Sequence, residues 1–258
     1  MRHMMRENLA LLCCRQQNTV GFFHSLVTDT IVESCIVSDK TREIAYLLPL
    51  YLYPEEDLYN GAERYERQVN IAAGVVEALK KAYGPKTTPE EIFYYIYAIL
   101  HSSTYRTRFA EFLKSDFPRI PFCQDRKLFQ TMGKLGRNLV ELHLMKSTKL
   151  NKPIAKYEGK GDNLVEKVTY DEKNKLVHIN KGRHFGPINE DIWEHQIGGY
   201  QVMHKWLKDR NGRRLMLDDI KHYCRIAAAI KHTIAAQKKI DEIYLSIEKS
   251  CIAIQTAR

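Results

Sequence analysis

The sequence predicts an α+β fold with an N-terminal antiparallel or mixed β region, a central helical bundle, a further β-hairpin and long C-terminal helices. Three observations lead to this prediction. Residues 8–54 are rich in β-branched and aromatic residues and lack helical periodicity. Apolar residues then recur at helical spacing through 88–145 and again through 218–244. Apolar alternation on both sides of a polar turn predicts the hairpin at 165–179.

Three strands are predicted in the N-terminal region, over Asn8–Gln17, Phe22–Val37 and Ile44–Tyr53. Two polar clusters separate them, Gln16–Thr19 and Ser38–Arg42. Each cluster would place amides, hydroxyls and a cation at the end of a stiff scaffold, and such side chains contact the base edges and phosphates of nucleic acids. Polar clusters of this kind are also typical of simple hairpin turns.

The stretch Thr88–Phe122 combines many aromatic residues with clear helix start and stop signals, which predicts that it forms the centre of the fold. Thr88 is placed to cap a helix, Pro89 takes the first helical position, and Glu91 follows three residues after the cap. The second helix of this stretch is predicted to turn four apolar residues inward: Tyr105, Phe109, Phe112 and Leu113. It is predicted to leave three cations in solvent: Arg106, Arg108 and Lys114.

Four further helices are predicted. One ends near Gly84, and another runs from Gln124 or Asp125 to about Met145. A third spans 190–207 and contains both tryptophans, and the last begins at a capping Asp218. The apolar residues of the last helix alternate in steps of three and four, as in the seam of an antiparallel helix pair.

Taken together, these elements predict two lobes within one compact domain. A β-rich lobe with the central helices covers 1–150, and a hairpin with a helical lobe covers 151–258.

Composition narrows the functional class. The net charge of +9 favours a polyanionic partner, although many basic proteins only have well-solvated surfaces. The six cysteines form no CxxC pair, which favours buried free thiols over a zinc site. No apolar run reaches the length of a membrane span, and the N-terminus lacks the features of a signal peptide, so we expect a cytoplasmic protein.

Motifs for catalysis are absent from the sequence. It contains no phosphate-binding loop, dinucleotide fingerprint, zinc-protease motif or nucleophile elbow, and we expect no cofactor. Asp29, Glu33 and Lys40 suggest a nuclease with a magnesium site, but their order does not fit the usual arrangement of acids and lysine in metal-dependent nucleases. We therefore expect the chain to act by binding.

Four long blocks resemble one family over about residues 2–241, in the same order. They read VTDTIVESCIVSDKTREIAYLLPLYLYP, EEIFYYIYAILHSSTYRTRFAEFLKSDFPRIPF, GDNLVEKVTYDEKNKLVHIN and IWEHQIGGYQVMHKWLKDRNGRRL followed by DDIKHY. The resemblance is to the C-terminal specificity region, or target recognition domain, of the large single-chain restriction–modification enzymes of Type ISP and the related Type IIG.

The resemblance implies a non-catalytic domain that reads a site in double-stranded DNA opposite an adenine N6-methyltransferase. In that family the methyltransferase, a nuclease and a helicase-type ATPase precede this region, and they are the implied partners. The chain carries none of their motifs, and it is expected to be a separated recognition domain, a truncated product or a fragment.

On this hypothesis, cations hold DNA phosphates and polar tips read bases. The residues predicted to contact DNA are Arg15, Gln16, Gln17, Asn18, Lys40, Arg42, Lys181, Arg183, Arg210, Arg213 and Arg214. Two alternatives stay open. One is a helical protein-interaction module, or inactive remnant, that docks on a methyltransferase without binding DNA. The other is an RNA-binding or nuclease protein that uses Asp29 and Glu33.

Overall fold

The computed structural model describes residues 2–16, 22, 24–37, 44–54 and 67–254, and it confirms the predicted α+β fold. The chain divides into two compact units. Unit 1 comprises Met1–Val140 and Ala236–Arg258, and unit 2 comprises Glu141–Ala235. The lobe boundary expected at residue 150 stays a prediction.

Unit 1 begins with short antiparallel strands. β1 (Ala10–Cys13) lies between β2 (Ser25–Thr28) and β3 (Tyr46–Pro49), and β4 (Tyr51–Leu52) pairs with β5 (Gln68–Val69). The predicted strands are therefore present but shorter than expected. Their apolar residues include the fully buried Ala10, Leu12 and Cys13, which explains why β1 takes the central place in its sheet.

Five helices follow: α1 (Ala73–Tyr83), α2 (Pro89–Leu100), α3 (Ser103–Arg108), α4 (Ala110–Ser115) and α5 (Arg126–His143), the last of which ends in unit 2. The predicted start of α2 is confirmed. The Thr88 hydroxyl accepts a hydrogen bond from the Glu91 N–H at 3.2 Å, and the Glu91 carboxylate accepts one from the Thr88 N–H at 3.0 Å. This reciprocal pair satisfies two backbone donors that the helix itself leaves unbonded.

Buried tyrosines organise the core of unit 1. Tyr83 stacks on Phe129 with ring centres 4.0 Å apart, and Tyr95 lies 5.0 Å from the same ring. The hydroxyl of Tyr95 donates to the carbonyl of Pro121 at 2.8 Å, and that of Tyr105 donates to the carbonyl of Arg119 at 2.9 Å. These hydroxyls fix the proline-containing segment after α4, so the stretch Thr88–Phe122 contributes to the core of unit 1.

Two side chains of this stretch differ from the prediction. Phe112 is 70% exposed, and Arg106 is half-buried and donates from Nε to the carbonyl of Leu100 at 2.5 Å. The prediction treated the segment as one helix, whereas the backbone breaks at Phe109 between α3 and α4. The break shifts the helical phase, which moves Phe112 outward.

Unit 2 contains a four-stranded antiparallel sheet in the order β6 (Lys156–Gly159), β9 (Arg183–Gly186), β8 (Leu176–His178) and β7 (Thr169–Asp171). β7 and β8 are the predicted hairpin. The sheet covers a core of fully buried apolar residues that includes Val177, Phe185, Met203, Leu207 and Tyr223.

The single helix predicted over 190–207 is wrong. The structure has α6 (Glu190–Trp193), a hairpin of β10 (Gln196–Ile197) and β11 (Tyr200–Gln201), and then α7 (Val202–Lys208). Gly198 has φ +59°, a left-handed conformation that glycine adopts at little cost, and it turns the chain between the two short strands.

The last helix, α8, spans Leu217–Glu248 and passes from unit 2 into unit 1. Its N-terminus differs from the prediction, because the carboxylate of Asp219 rather than Asp218 accepts a hydrogen bond from the Met216 N–H at 3.0 Å. Tyr223, Ala227, Ile240 and Tyr244 are fully buried along the predicted apolar seam.

All six cysteines are free, and four are buried, whereas Cys35 is half-buried and Cys251 exposed. Burial raises the pKa of Cys13 to about 12, so this thiol stays protonated near neutral pH. Within the described ranges, no group of three or more His, Cys, Asp or Glu side chains could hold a metal ion. None of the helices that the structure describes is long and apolar enough to span a bilayer.

Candidate nucleic-acid interface

Three loops of unit 2 lie together at one end of its sheet, and we call them the three-loop cluster: residues 159–165, 179–183 and 210–215. The first loop leaves β6 and the second joins β8 to β9, so both lie at the same sheet end. The Lys160 N–H donates to the carbonyl of Gly182 at 3.0 Å and joins these two loops.

The third loop is bonded to the first through the backbone. The Gly212 N–H donates to the carbonyl of Val165 at 2.8 Å, and the Val165 N–H donates to that of Arg213 at 3.0 Å. The Leu215 N–H donates to the carbonyl of Asn163 at 3.0 Å. Segments far apart in sequence are thereby held in one arrangement, which lowers the entropy that the loops would lose on binding a ligand.

The side chain of Asn180 connects two of these loops. Its Nδ2 donates to the carbonyls of Asp162 and Leu164, both at 2.9 Å. Its Oδ1 accepts from the N–H groups of Gly182 at 2.9 Å and Arg183 at 2.8 Å. One amide thus uses both its donors and its acceptor to form the turn and to attach it to the neighbouring loop.

Two glycines allow the backbones of the first and second loops to approach each other. A Cβ atom at Gly159, whose φ is +103°, would overlap the carbonyl oxygen of Gly182. A Cβ atom at Gly182 would overlap the carbonyl oxygen of Lys160. The close crossing therefore requires glycine at both positions.

The three-loop cluster presents exposed cations. Lys160, Lys181 and Arg213 are exposed, and none has a carboxylate partner among the residues that the structure describes. Arg214 is also exposed, but its guanidinium lies 2.8 Å from the carboxylate of Asp162. The arrangement thus combines a braced backbone with three uncompensated positive charges, which suits the binding of phosphate groups.

Two predicted contact residues of unit 2 have supporting positions instead. Arg183 donates to the carbonyls of Gly159 at 2.7 Å and Gly161 at 3.1 Å. Arg210 lies 3.5 Å from the centre of a Trp206 ring and pairs with Asp219 at 3.5 Å. Both hold the loops in place, and their contact with DNA stays a prediction.

The other predicted contact residues lie in unit 1 or outside the described ranges. Arg15 and Gln16 follow β1 and are exposed, with Arg15 Nε 3.6 Å from the carboxylate of Asp116. The remaining four lie outside the described residues: Gln17, Asn18, Lys40 and Arg42. Within unit 2, the structure brings together the predicted residues Lys181, Arg183, Arg210, Arg213 and Arg214.

Sequence reasoning missed Lys160 and the bracing role of Asn180. Lys160 lies in the basic run 146–160, which the sequence leaves open as a linker or a phosphate-contacting segment, and Asn180 begins the polar tip 180–184. An Asn–Lys–Gly turn signal is visible in the sequence, but the carbonyls that Asn180 binds lie 16 and 18 residues earlier. No local pattern indicates such partners.

We expect Asn180→Asp to lower the free energy of unfolding by about 2 kcal/mol, because it keeps the acceptor but replaces two donors with a charged oxygen facing carbonyls. Urea denaturation followed by circular dichroism measures the change. Asn189→Asp is the matched control, since the exposed Asn189 side chain makes no capping hydrogen bond. A similar loss in both variants would contradict the bracing role.

A family model described as the Type ISP C-terminal specificity domain matches residues 1–240. No curated protein matches the chain. Three solved structures share the fold at 20% sequence identity. The first is the "ATP-dependent Type ISP restriction-modification enzyme LlaBIII bound to DNA", with a TM-score of 0.67. The second is a nuclease-deletion mutant of the Type ISP enzyme LlaGI in complex with a DNA substrate mimic, with a TM-score of 0.62. The third is the DrdV–DNA complex, with a TM-score of 0.66.

The similarity covers 91%, 91% and 92% of this chain, respectively. It covers only 16%, 21% and 24% of those longer chains. The chain thus spans less than a quarter of the length of each solved relative.

Proposed function

Because the chain belongs to the Type ISP C-terminal specificity domain family, we propose that it binds double-stranded DNA and acts as a target recognition domain. In this proposal it contributes no catalysis of its own. It directs an adenine N6-methyltransferase and a nuclease with its ATPase, which are carried by other parts of a restriction–modification enzyme. The cytoplasmic location expected from the sequence belongs to the same proposal.

The observation that carries the proposal is the three-loop cluster. Its exposed Lys160, Lys181 and Arg213 are held by loops that hydrogen bond to one another and therefore need little reordering on binding. Cations of this kind neutralise DNA phosphates and release condensed counterions, which supplies most of the sequence-independent affinity for a duplex. The cluster would thus position the domain on the backbone.

Base readout is assigned to the polar tips. Phosphate contacts fix register but carry no sequence information directly, so specificity requires side chains that reach base edges. Gln16 and Arg15 follow a strand of unit 1 and are exposed. Amide and guanidinium groups make paired hydrogen bonds with adenine and guanine. We therefore assign base reading to Arg15 and Gln16, together with the sequence candidates Gln17, Asn18, Lys40 and Arg42.

Selection from a random-sequence duplex library tests the proposal. The folded chain is mixed with the library at low salt, and the retained duplexes are separated by electrophoretic mobility and sequenced. We expect retained duplexes to share a site, and Gln16→Ala to relax the preference at one position by about 1–3 kcal/mol. A folded chain that retains no duplex would overturn the proposal.

A protein-docking role has one supporting observation. Unit 1 has a mostly apolar cavity of about 590 Å³, and its lining includes Phe109, Phe112, Phe117 and Tyr244. Phe112 is 70% exposed at this cavity. Apolar association would survive high salt, whereas DNA binding would weaken steeply. Raising the salt concentration from 0.1 M to 1 M shortens the Debye length about threefold and so screens contacts between charges. Association with methyltransferase or ATPase segments that persists in 1 M salt and is lost in Phe112→Ser would therefore support docking as a second function.

A further inference from the structure

We propose that the exposed face of α5 is a second DNA-contact surface, which holds the sugar–phosphate backbone of a duplex independently of sequence. The inference rests on the proposed function and deepens it, because none of these residues was among the predicted contacts. It concerns unit 1 alone. Three properties of α5 support it: the composition of its exposed face, the unpaired charge of three of its cations and its rigid attachment to unit 1.

The composition of α5 divides cleanly between its two sides. Phe129, Met132 and Leu139 are fully buried on one side. The exposed side carries only cationic, amide and hydroxyl side chains: Arg126, Lys127, Gln130, Thr131, Lys134, Arg137 and Asn138. Residues 126–140 contain no acid. Their spacing by three, four and seven residues places them on one continuous stripe along the helix.

Three of the four cations of this stripe carry charge that is not paired locally. Arg126, Lys127 and Lys134 have no carboxylate partner among the described residues. The nearest acid in sequence, Asp125, turns its carboxylate to the helix start and accepts from the N–H groups of Lys127 at 2.6 Å and Leu128 at 3.3 Å. At the other end, the half-buried Glu141 is the first acid of the helix. The exposed cations therefore attract an anion from solvent.

The loop after α1 extends the same surface. The guanidinium of Arg126 lies near Gly84, since a Cβ atom there would be 3.4 Å from its Nη1. Lys86 follows two residues later, is exposed, and has no carboxylate partner among the described residues. A cation from a second element thus lies close to the N-terminal end of the α5 stripe.

The stripe is attached rigidly to unit 1. A Cβ atom at Gly136 would overlap the carbonyl oxygen of Tyr94, so the α5 backbone lies directly against α2. Phe129 is packed between the rings of Tyr83 and Tyr95. Because the helix cannot slide or rotate freely, its cations are preorganised, and binding requires no reordering of the helix backbone.

The dimensions fit a nucleic-acid backbone. With a rise of about 1.5 Å per residue, Arg126 and Lys134 stand roughly 12 Å apart along the axis. A duplex carries one charge per about 1.7 Å of its axis, so a helix lying across it meets several phosphates. The stripe offers no exposed apolar side chain, which disfavours a protein partner that docks through hydrophobic contact.

A triple variant tests the inference: Arg126→Gln, Lys127→Gln and Lys134→Gln. Glutamine keeps helix propensity close to that of arginine and lysine. The control removes three exposed lysines from the C-terminal part of unit 1: Lys238→Gln, Lys239→Gln and Lys249→Gln. Fluorescence anisotropy measures the affinity for a selected duplex and for a random duplex, and circular dichroism verifies folding.

We expect the α5 variant to bind both duplexes at least tenfold more weakly. The plot of log affinity against log salt should become shallower by about 2.7, which is 0.9 for each of three lost phosphate contacts. The control should stay within threefold of the parent. An α5 variant within threefold of the parent, an equal loss in the control, or a loss confined to the selected duplex would overturn the inference while the proposed function stands. A parent chain that binds neither duplex would overturn both.

Discussion

Gly136→Ala is expected to lower the free energy of unfolding by about 3 kcal/mol, as overpacking of a tight core site does. The added methyl group would overlap the carbonyl oxygen of Tyr94 and would lie 2.7 Å from its carbonyl carbon and 3.2 Å from the Cβ of Ala98. The obstructing atoms belong mainly to the backbone of α2, which cannot swing away as a flexible side chain does. The two helices would have to separate.

Gly133→Ala provides a matched control on the same helix. A Cβ atom at Gly133 would meet only the carbonyl oxygen of Glu91, at an ordinary 3.7 Å. Alanine favours a helix interior over glycine by about 1 kcal/mol, so this variant should be at least as stable as the parent. Thermal denaturation followed by circular dichroism compares the two. Equal melting temperatures for both variants would contradict the close packing of α5 on α2.

The second large effect concerns DNA affinity. We expect the triple variant Lys160→Ala, Lys181→Ala and Arg213→Ala to bind duplex DNA on the order of 10²-fold more weakly at 0.1 M salt. Three phosphate contacts contribute about −2.7 to the slope of log affinity against log salt, and the variant loses that contribution. The loss should be uniform across DNA sequences, since these exposed cations contact phosphates rather than base edges. Anisotropy titrations with several unrelated duplexes measure it.

The sheet topology supplies the control for this experiment. β8 pairs antiparallel with both β7 and β9. The turn between β7 and β8, which contains Lys173, therefore lies at the opposite end of the sheet from the turn between β8 and β9, which contains Lys181. Lys173→Ala should leave affinity nearly unchanged, whereas Lys181→Ala alone should weaken it severalfold. If the two single variants weaken binding equally, the effect comes from net charge and the three-loop cluster is not the contact surface.

Local sequence signals predicted much of the fold. The capping residues Thr88 and Glu91 and the strand-rich N-terminus gave correct elements because their determinants lie within a few residues. The failures come from glycine and from helix phase. Gly198 lies inside the helix predicted over 190–207, but it forms the turn of a hairpin. The break at Phe109 moved Phe112 to the surface.

The candidate site was predictable only in part. Residue type pointed to Lys181, Arg213 and Arg214, because lysine and arginine in polar loops are suited to phosphate contact. The support that makes these loops rigid could not be predicted. Asn180 binds carbonyls of a distant loop, and Gly182 allows a backbone crossing that appears only in three dimensions.

The salt dependence of duplex affinity is the sharpest test of the proposal that this chain binds DNA through phosphate contacts. Anisotropy titrations of the folded parent chain with a duplex are made from about 50 to 200 mM salt, and log affinity is plotted against log salt. We expect binding at low salt and a linear decline of log affinity with a slope steeper than about −3, since at least four phosphate contacts are proposed. A folded chain that binds no duplex at 50 mM salt, or binds it with an affinity that does not change with salt, would contradict the account.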